Sequence, residues 1–185
     1  YLGNHYQRSN SGGLALLHDP ARSIAPFSLQ RADEKGLDNA ALVGRWSLLY
    51  FGDSYCPDLC PAAMVNIVEL YNQLLARNPR LRPQLQIIFV SLDPSRDTPE
   101  RLRSYVTIHH PDFIGVSGSE EAVAGLAREF SIFHRRSGSG VGRDYRIDHS
   151  VTLSLVNPQG KIAAYFIDLS NPARLADEIL KLISS

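Results

Sequence analysis

The stretch WSLLYFGDSYCPDLCP, residues 46–61, joins a strand to a helix and carries both cysteines of the chain between them. Residues 46–51 form a nearly unbroken apolar run, which is typical of a strand buried on both faces. Further along, apolar residues recur at steps of three and four and predict a helix that begins near Cys60 and Pro61. Its apolar stripe consists of Met64, Ile67, Val68, Tyr71, Leu74 and Leu75. The buried strand therefore leads into this helix through residues 52–59.

The same alternation of strands and helices continues toward the C-terminus. Apolar runs and turn residues predict strands at residues 85–92, 113–116, 150–156 and 162–167. Capping residues predict the starts of three more helices, at Thr98, Ser119 and Asn171. The order β-α-β-α-β-α-β-β-α predicts an α/β fold, a thioredoxin-like mixed sheet with helices on both faces.

Composition limits the classes of partner that the chain can attract. Lysine plus arginine and aspartate plus glutamate number 19 each, so no net field favours nucleic acid, anionic lipid or an acidic substrate. No apolar stretch approaches the ~20 residues that a membrane-spanning helix needs. We expect one domain over residues 27–185, preceded by a flexible N-terminal arm, residues 1–26, that follows a removed membrane anchor or signal.

The two cysteines form a C-x-x-x-C turn at the strand-to-helix crossover. Unpaired N–H groups at a helix start stabilise anions, so we expect Cys56 and Cys60 to tend toward thiolates, which bind soft metals or attack disulfides. Four-residue spacing in helix-like backbone brings both side chains to one face. The spacing is only moderately specific, and two ordinary buried cysteines or a static disulfide remain an alternative interpretation.

Of the six histidines, His149 is the candidate for a functional role. It stands where a loop rich in glycine and serine meets the predicted strand at residues 150–156, beside the carboxylate of Asp148. The pattern alone slightly favours a histidine that merely ends a strand over a ligand. The remaining histidines are expected on the surface: His5, His18, His109, His110 and His134. Met64 is expected in the core, and Asp93 and Asp97 are expected to shape the turn after the second strand.

Four segments together resemble the Sco/SenC family of copper proteins. They are GRWSLLYFG at 44–52, CPDLCP at 56–61, VSLDPSRDTP at 90–99 and DYRIDHS at 144–150. The resemblance extends from about Phe27 to the C-terminus, and four linked segments are far more specific than one. It implies that Cys56, Cys60 and His149 bind one copper ion. Members usually read Tyr-Thr-His or similar before the first cysteine, where this chain has residues 53–55, DSY.

The resemblance also implies a task and a location. Two thiolates and an imidazole suit Cu(I), and they can hold Cu(II) with added oxygen ligands. Three ligands leave a position open for a receiving protein. The chain is thus expected to be a metallochaperone rather than an enzyme, serving the Cu(A) site of cytochrome c oxidase through subunit II or another copper-receiving protein. The expected location is the bacterial periplasm, on an inner-membrane anchor, or else the mitochondrial intermembrane space.

Two other functions use the same cysteines. In a thiol–disulfide oxidoreductase Cys56 would attack and Cys60 would resolve, although the usual thioredoxin motif has two intervening residues rather than three. In a redox-sensing module the pair would act only as a reversible disulfide. Neither alternative requires the imidazole of His149.

Overall fold

A computed structural model of the chain describes residues 6–8, 15–57, 59–138 and 145–184. Over these residues the chain forms eleven strands and four α-helices. The strands are β1 Tyr6–Arg8, β2 Ala15–Ser23, β3 Ser28–Arg31, β4 Gly36–Asp38, β5 Trp46–Gly52, β6 Leu85–Ser91, β7 Ile114–Ser117, β8 His134–Ser137, β9 Arg146–His149, β10 Leu153–Val156 and β11 Lys161–Phe166. The helices are α1 Leu59–Arg77, α2 Pro99–His109, α3 Glu120–Glu129 and α4 Pro172–Ser184.

One mixed sheet organises the fold, with its strands in the order β1-β2-β11-β10-β5-β6-β7-β3-β4. The central strands β5, β6 and β7 run parallel, and β10 lies antiparallel to β5. Strands β8 and β9 pair with each other in a separate antiparallel ribbon. The parallel strands all point toward the edge at which β5 gives way to the cysteine turn.

Strand β5 lies between two hydrophobic layers, which explains its unbroken apolar run. Leu48 and Tyr50 face a core formed with helices α1, α2 and α4. Leu49 and Phe51 face a second core formed with helix α3. Because alternate side chains point to opposite faces of a strand, both sides of β5 must be apolar. The predicted mixed α/β sheet of thioredoxin type, with helices on both faces, is confirmed.

The helix starts agree with the predicted capping residues. The Thr98 side chain accepts a hydrogen bond from the Arg101 amide at the start of α2, at 3.3 Å. Ser119 and Asn171 do the same for α3 and α4, at 3.1 and 3.0 Å. Each cap satisfies an amide that has no partner inside its helix.

The N-terminal part of the chain differs from the loose arm expected over residues 1–26. Residues 15–23 form β2, which pairs with β11 in the main sheet. Its side chains are mostly half-buried or exposed, so no clear period-2 pattern marks it, and a strand near the sheet edge tolerates a proline such as Pro20. Residues 1–5 and 9–14 of the expected arm lie outside the described residues.

The segment around His149 also differs from the expectation of one strand over residues 150–156. His149 ends β9, and β10 begins only at Leu153. His149 thus belongs to the β8–β9 ribbon, and its ring packs edge-on against Tyr50 of β5. None of the helices in the described ranges is long and apolar enough to cross a membrane.

Candidate metal centre

The cysteine turn begins where β5 ends, at the carboxyl end of a central parallel strand. Gly52 closes the strand, and a Cβ built there would lie 3.0 Å from the Sγ of Cys60. Glycine is therefore needed for the sulfur to approach the strand so closely. Cys60 is fully buried in the first turn of α1, whereas Cys56 is half-buried in the turn before it.

The two cysteines are free thiols and contact each other through the backbone. The Cys60 amide donates a hydrogen bond to the Sγ of Cys56, at 3.3 Å. An N–H group at a helix start that points at sulfur favours the anionic form of that sulfur. Cys56 thus has the helix-start environment that its position predicts.

Cys60 differs from the sequence expectation of a thiolate. Burial raises the pKa of the Cys60 thiol well above its ordinary value, and this effect outweighs the backbone amide of Asp53, which lowers it. Desolvation disfavours the charged form of any acid. Without metal, Cys60 therefore carries its proton at neutral pH, and a bound metal must displace that proton.

His149 places an imidazole nitrogen against Cys60. Its Nε2 lies 3.2 Å from the Cys60 Sγ, and its Nδ1 lies 2.9 Å from the backbone oxygen of Ser150. A carbonyl oxygen only accepts hydrogen bonds, so we assign the ring proton to Nδ1. The lone pair of Nε2 then points toward the sulfur, in the tautomer that a metal-binding histidine needs.

A fourth donor atom in this place comes from Asp53, which the sequence analysis did not select. Asp53, Cys56, Cys60 and His149 each offer one ligand atom, and these four atoms all lie within 4.8 Å of one another. Donor atoms bound to one ion at about 2.0–2.3 Å lie at most about 4.6 Å apart, so small movements would close this set around a metal. The position of Asp53 directly after a central parallel strand was the available signal, because ligands collect at that edge of α/β sheets.

A cavity opens beside the donor atoms. A cavity of about 270 Å³ is lined by Asp53, Tyr55, Cys56, Pro57, Arg146, Ile147, Asp148 and His149. Cys60 does not line the cavity and lies beneath it. An incoming ligand would therefore meet Cys56 and His149 before Cys60.

A buried network of charged and hydroxyl groups supports the turn. Asp97 accepts hydrogen bonds from the Ser54 amide at 3.2 Å, from the Ser54 hydroxyl and from the Ser91 hydroxyl at 2.6 Å. Asp93 pairs with Arg96 and accepts a hydrogen bond from the Tyr145 hydroxyl at 2.7 Å. Neither carboxylate belongs to the four-donor set, which agrees with their predicted structural role.

The other predicted positions have simpler environments. Met64 is buried in α1, as predicted. Four further histidines are half-buried rather than fully solvated, and within the described ranges they contribute nothing to the donor set: His18, His109, His110 and His134. His109 and His110 pack edge-on against tyrosine rings. His5, Asp58 and Asp144 lie outside the described residues.

Comparison with known proteins gives consistent matches. The SCO1/SenC family model matches residues 17–184. The protein SCO1 homolog 1, mitochondrial, of Arabidopsis thaliana is 29% identical over 183 residues, which are 97% of this chain and 54% of that protein. A putative copper-binding protein of Stutzerimonas stutzeri is 32% identical over 168 residues, which are 89% of this chain and 80% of that protein.

Solved structures agree with the sequence matches. The crystal structure of Arabidopsis thaliana ScoI with copper bound superposes with a TM-score of 0.79 at 30% identity. The match covers 87% of this chain and 98% of that one. The chain spans about half the length of several mitochondrial relatives that it matches.

Proposed function

Because the chain belongs to the SCO1/SenC family, we propose that it binds one copper ion through Cys56, Cys60 and His149 and delivers it to the Cu(A) site of cytochrome c oxidase during assembly. One observation supports this function above all others. Two sulfurs and the imidazole nitrogen of a histidine distant in sequence lie within 4.8 Å of one another, beside a cavity that Cys56 and His149 line.

The donor chemistry favours copper. Thiolates are soft ligands that select Cu(I), and imidazole suits copper in either oxidation state. Two of the similar proteins are described in the same terms, one as a putative copper-binding protein and one as crystallised with copper bound. The donor set of this chain is compatible with the same ion.

Delivery requires that the ion can leave. A closed structural site surrounds its metal with four protein ligands, whereas an open site keeps a position for an incoming group. The cavity exposes Cys56 and His149 to a partner, while Cys60 holds the ion from below. Ligands of a receiving protein could therefore replace Cys56 and His149 first, and reprotonation of Cys60 would favour the final release.

A thiol–disulfide oxidoreductase is the second candidate function. It is favoured by the 3.3 Å hydrogen bond from the Cys60 amide to the Cys56 sulfur, because that contact activates an attacking thiolate. Burial raises the pKa of Cys60, which opposes its reaction as a resolving thiolate and its binding to a metal alike, so this shift favours neither function. On our proposal the chain is a metallochaperone, and thiol reduction is at most a second activity.

The expected partner and location remain part of the proposal. The partner is subunit II of cytochrome c oxidase or another copper-receiving protein. The location is the bacterial periplasm with an inner-membrane anchor, and the mitochondrial intermembrane space is the alternative. The balanced charge of the chain supports recognition by metal–ligand exchange rather than by a strong electrostatic field.

A transfer experiment tests this function. Protein loaded with Cu(I) and protein loaded with Cu(II), in equal amounts and freed of excess metal, are mixed with the reduced, metal-free Cu(A) domain of an oxidase subunit II, and the absorption of the Cu(A) centre is followed. We expect the centre to form while the donor loses copper, and we expect no transfer from a Cys56→Ser variant. If copper stays on the donor while the protein reduces an oxidised Cu(A) domain, the oxidoreductase function is correct instead.

A further inference from the structure

Asp53 is a buried carboxylate with one oxygen that no neighbour satisfies. The residue is 1% exposed. Its Oδ1 accepts a hydrogen bond from the Tyr55 amide at 3.0 Å and lies 3.9 Å from the Arg96 guanidinium. Its Oδ2 is buried, and no donor in the described part of the chain hydrogen-bonds to it. A buried acceptor without a partner destabilises the fold, so an oxygen in this state is a candidate ligand atom for a bound cation.

A carboxylate oxygen of Asp53 belongs to the four-donor set with Cys56, Cys60 and His149. The Oδ1 atom is held by its contacts to Tyr55 and Arg96, which leaves Oδ2 as the atom available to a cation. Asp53 follows β5 directly, and its carbonyl oxygen accepts a hydrogen bond from the Cys56 amide at 3.4 Å, so it is the first residue of the cysteine turn. From this geometry we propose that Asp53 is the fourth ligand of copper in the Cu(II) state, through Oδ2. The inference rests on the proposed function and adds a ligand to its three-residue site.

Ligand preference limits this role to one oxidation state. Cu(II) favours four ligands in a square-planar or tetragonal arrangement and accepts oxygen, whereas Cu(I) is satisfied by soft thiolates with an imidazole. Without Asp53, an oxygen ligand for Cu(II) would have to be water. Asp53 therefore distinguishes the two oxidation states, since its oxygen is bound in Cu(II) and released in Cu(I).

The net charge of the site also favours Asp53 as a ligand of Cu(II) rather than of Cu(I). Two thiolates neutralise Cu(II), and adding the Asp53 carboxylate leaves one net negative charge beside the Arg96 guanidinium, which lies 3.9 Å from Asp53 and also pairs with Asp93. With Cu(I) the same ligands would leave two net negative charges in a buried place, which desolvation disfavours. The smaller net negative charge thus makes the four-ligand site more favourable for the divalent ion.

The test compares Asp53→Asn, which keeps the size of the side chain and removes its charge, with wild type. Removing a group that supports a metal costs about 10–100-fold in affinity, so Cu(II) should bind at least about tenfold more weakly, with a shifted thiolate-to-Cu(II) absorption band. Cu(I) affinity, measured by competition with a chelator, should change less than about threefold. Asp148→Asn is the matched control, because Asp148 lines the same cavity, is exposed and lies outside the donor set. This control should leave both affinities unchanged.

A measurement on wild type keeps the proposal testable if Asp53→Asn does not fold. Electron–nuclear double resonance of the Cu(II) protein in D₂O detects the strong deuteron coupling of an equatorially bound water. We expect none, because Asp53 fills that position. An equatorial water, or Asp53→Asn with wild-type Cu(II) affinity and absorption, would overturn the inference while the copper site of the proposed function stands. If wild type binds neither copper ion, the proposed function fails, and the inference fails with it.

Discussion

The Nε2 atom of His149 lies 3.2 Å from the Sγ of Cys60, although 89 positions separate the two residues. Cys60 is placed by the first turn of α1, and His149 by the end of β9. The contact therefore depends on the tertiary fold and on the β8–β9 ribbon, and no local motif could create it. It also joins a thiol proton to an imidazole lone pair at the point where a metal would replace the proton.

His149→Ala separates the copper function from dithiol chemistry. Changes outside the ligand shell alone cost about 10–100-fold in metal affinity, so loss of a direct imidazole ligand should weaken Cu(II) by at least about 100-fold. Two thiolates should still hold Cu(I), at reduced affinity. The measurements are Cu(II) absorption, Cu(I) affinity by competition, and the reduction potential of the Cys56–Cys60 pair, whose disulfide should still form and reduce.

His134→Ala is the control for this variant. His134 pairs with His149 across the β8–β9 ribbon but is outside the donor set. The His134→Ala variant should bind copper as wild type does. Unchanged Cu(II) spectra in His149→Ala, together with an altered dithiol potential, would make His149 a tuner of redox cysteines and the protein a reductase.

Oxidation should prevent copper binding. The two sulfurs belong to one cluster of donor atoms, and a disulfide requires them to approach to about 2.05 Å, which consumes both ligands. Diamide treatment should close the Cys56–Cys60 bond and abolish uptake of Cu(I) until a reductant is added. Metal content after gel filtration measures this, and full Cu(I) uptake by the oxidised protein would show that the sulfurs are not both ligands.

The apparent affinity for Cu(I) should rise with pH. Because burial raises the pKa of Cys60, the metal-free protein keeps that proton at neutral pH and copper must release it. Each proton released on binding raises the apparent affinity about tenfold per pH unit. A plot of the logarithm of the Cu(I) affinity against pH, between pH 6 and 8, should therefore have a slope that includes one full proton from Cys60. In Cys60→Ser the slope should fall by one proton. Equal slopes in the two proteins would contradict the assignment of the buried thiol.

Arg96→Gln should destabilise the fold around the cysteine turn. Arg96 is 6% exposed, pairs with Asp93 and donates a hydrogen bond to the Tyr145 carbonyl at 2.9 Å. Removing one partner of a buried ion pair costs about 3–5 kcal/mol, because the remaining charge is left in the interior. Urea denaturation of the metal-free protein measures the free energy of unfolding. The control Arg136→Gln breaks an exposed pair with Glu120 and should lower the free energy of unfolding much less. Equal losses of stability in the two variants would refute the role of Arg96.

Most of the central fold could be predicted from the sequence because its signals are local. The apolar run of β5, the stripe of α1 and the caps at Thr98 and Ser119 are all visible within a few residues. Strand β2 could not be predicted, since it is mixed in polarity and gains its stability by pairing with β11. Strands β8 and β9 read HRRS and RIDH, so they are mostly charged or polar and lack the apolar run that marks other strands of the same length.

The donor set could be predicted only in part. Cys56 and Cys60 are marked by their spacing, whereas the choice of His149 depended on the family resemblance, because a contact across 89 positions leaves no local pattern. Asp53 was missed because a carboxylate after a strand is a common turn residue. The protonated state of Cys60 was missed because helix position favours a thiolate and only the fold shows how deeply the sulfur is buried.

The central claim is that Cys56 and Cys60 hold copper, and titration of the reduced protein with Cu(I) tests it most directly. Wild type should bind one copper per chain, read by metal analysis after removal of excess ion. A variant with both Cys56→Ser and Cys60→Ser should stay folded by circular dichroism, since serine is close in size to cysteine, and should bind no copper tightly. Binding of one copper by the double variant would contradict the site and the function proposed from it.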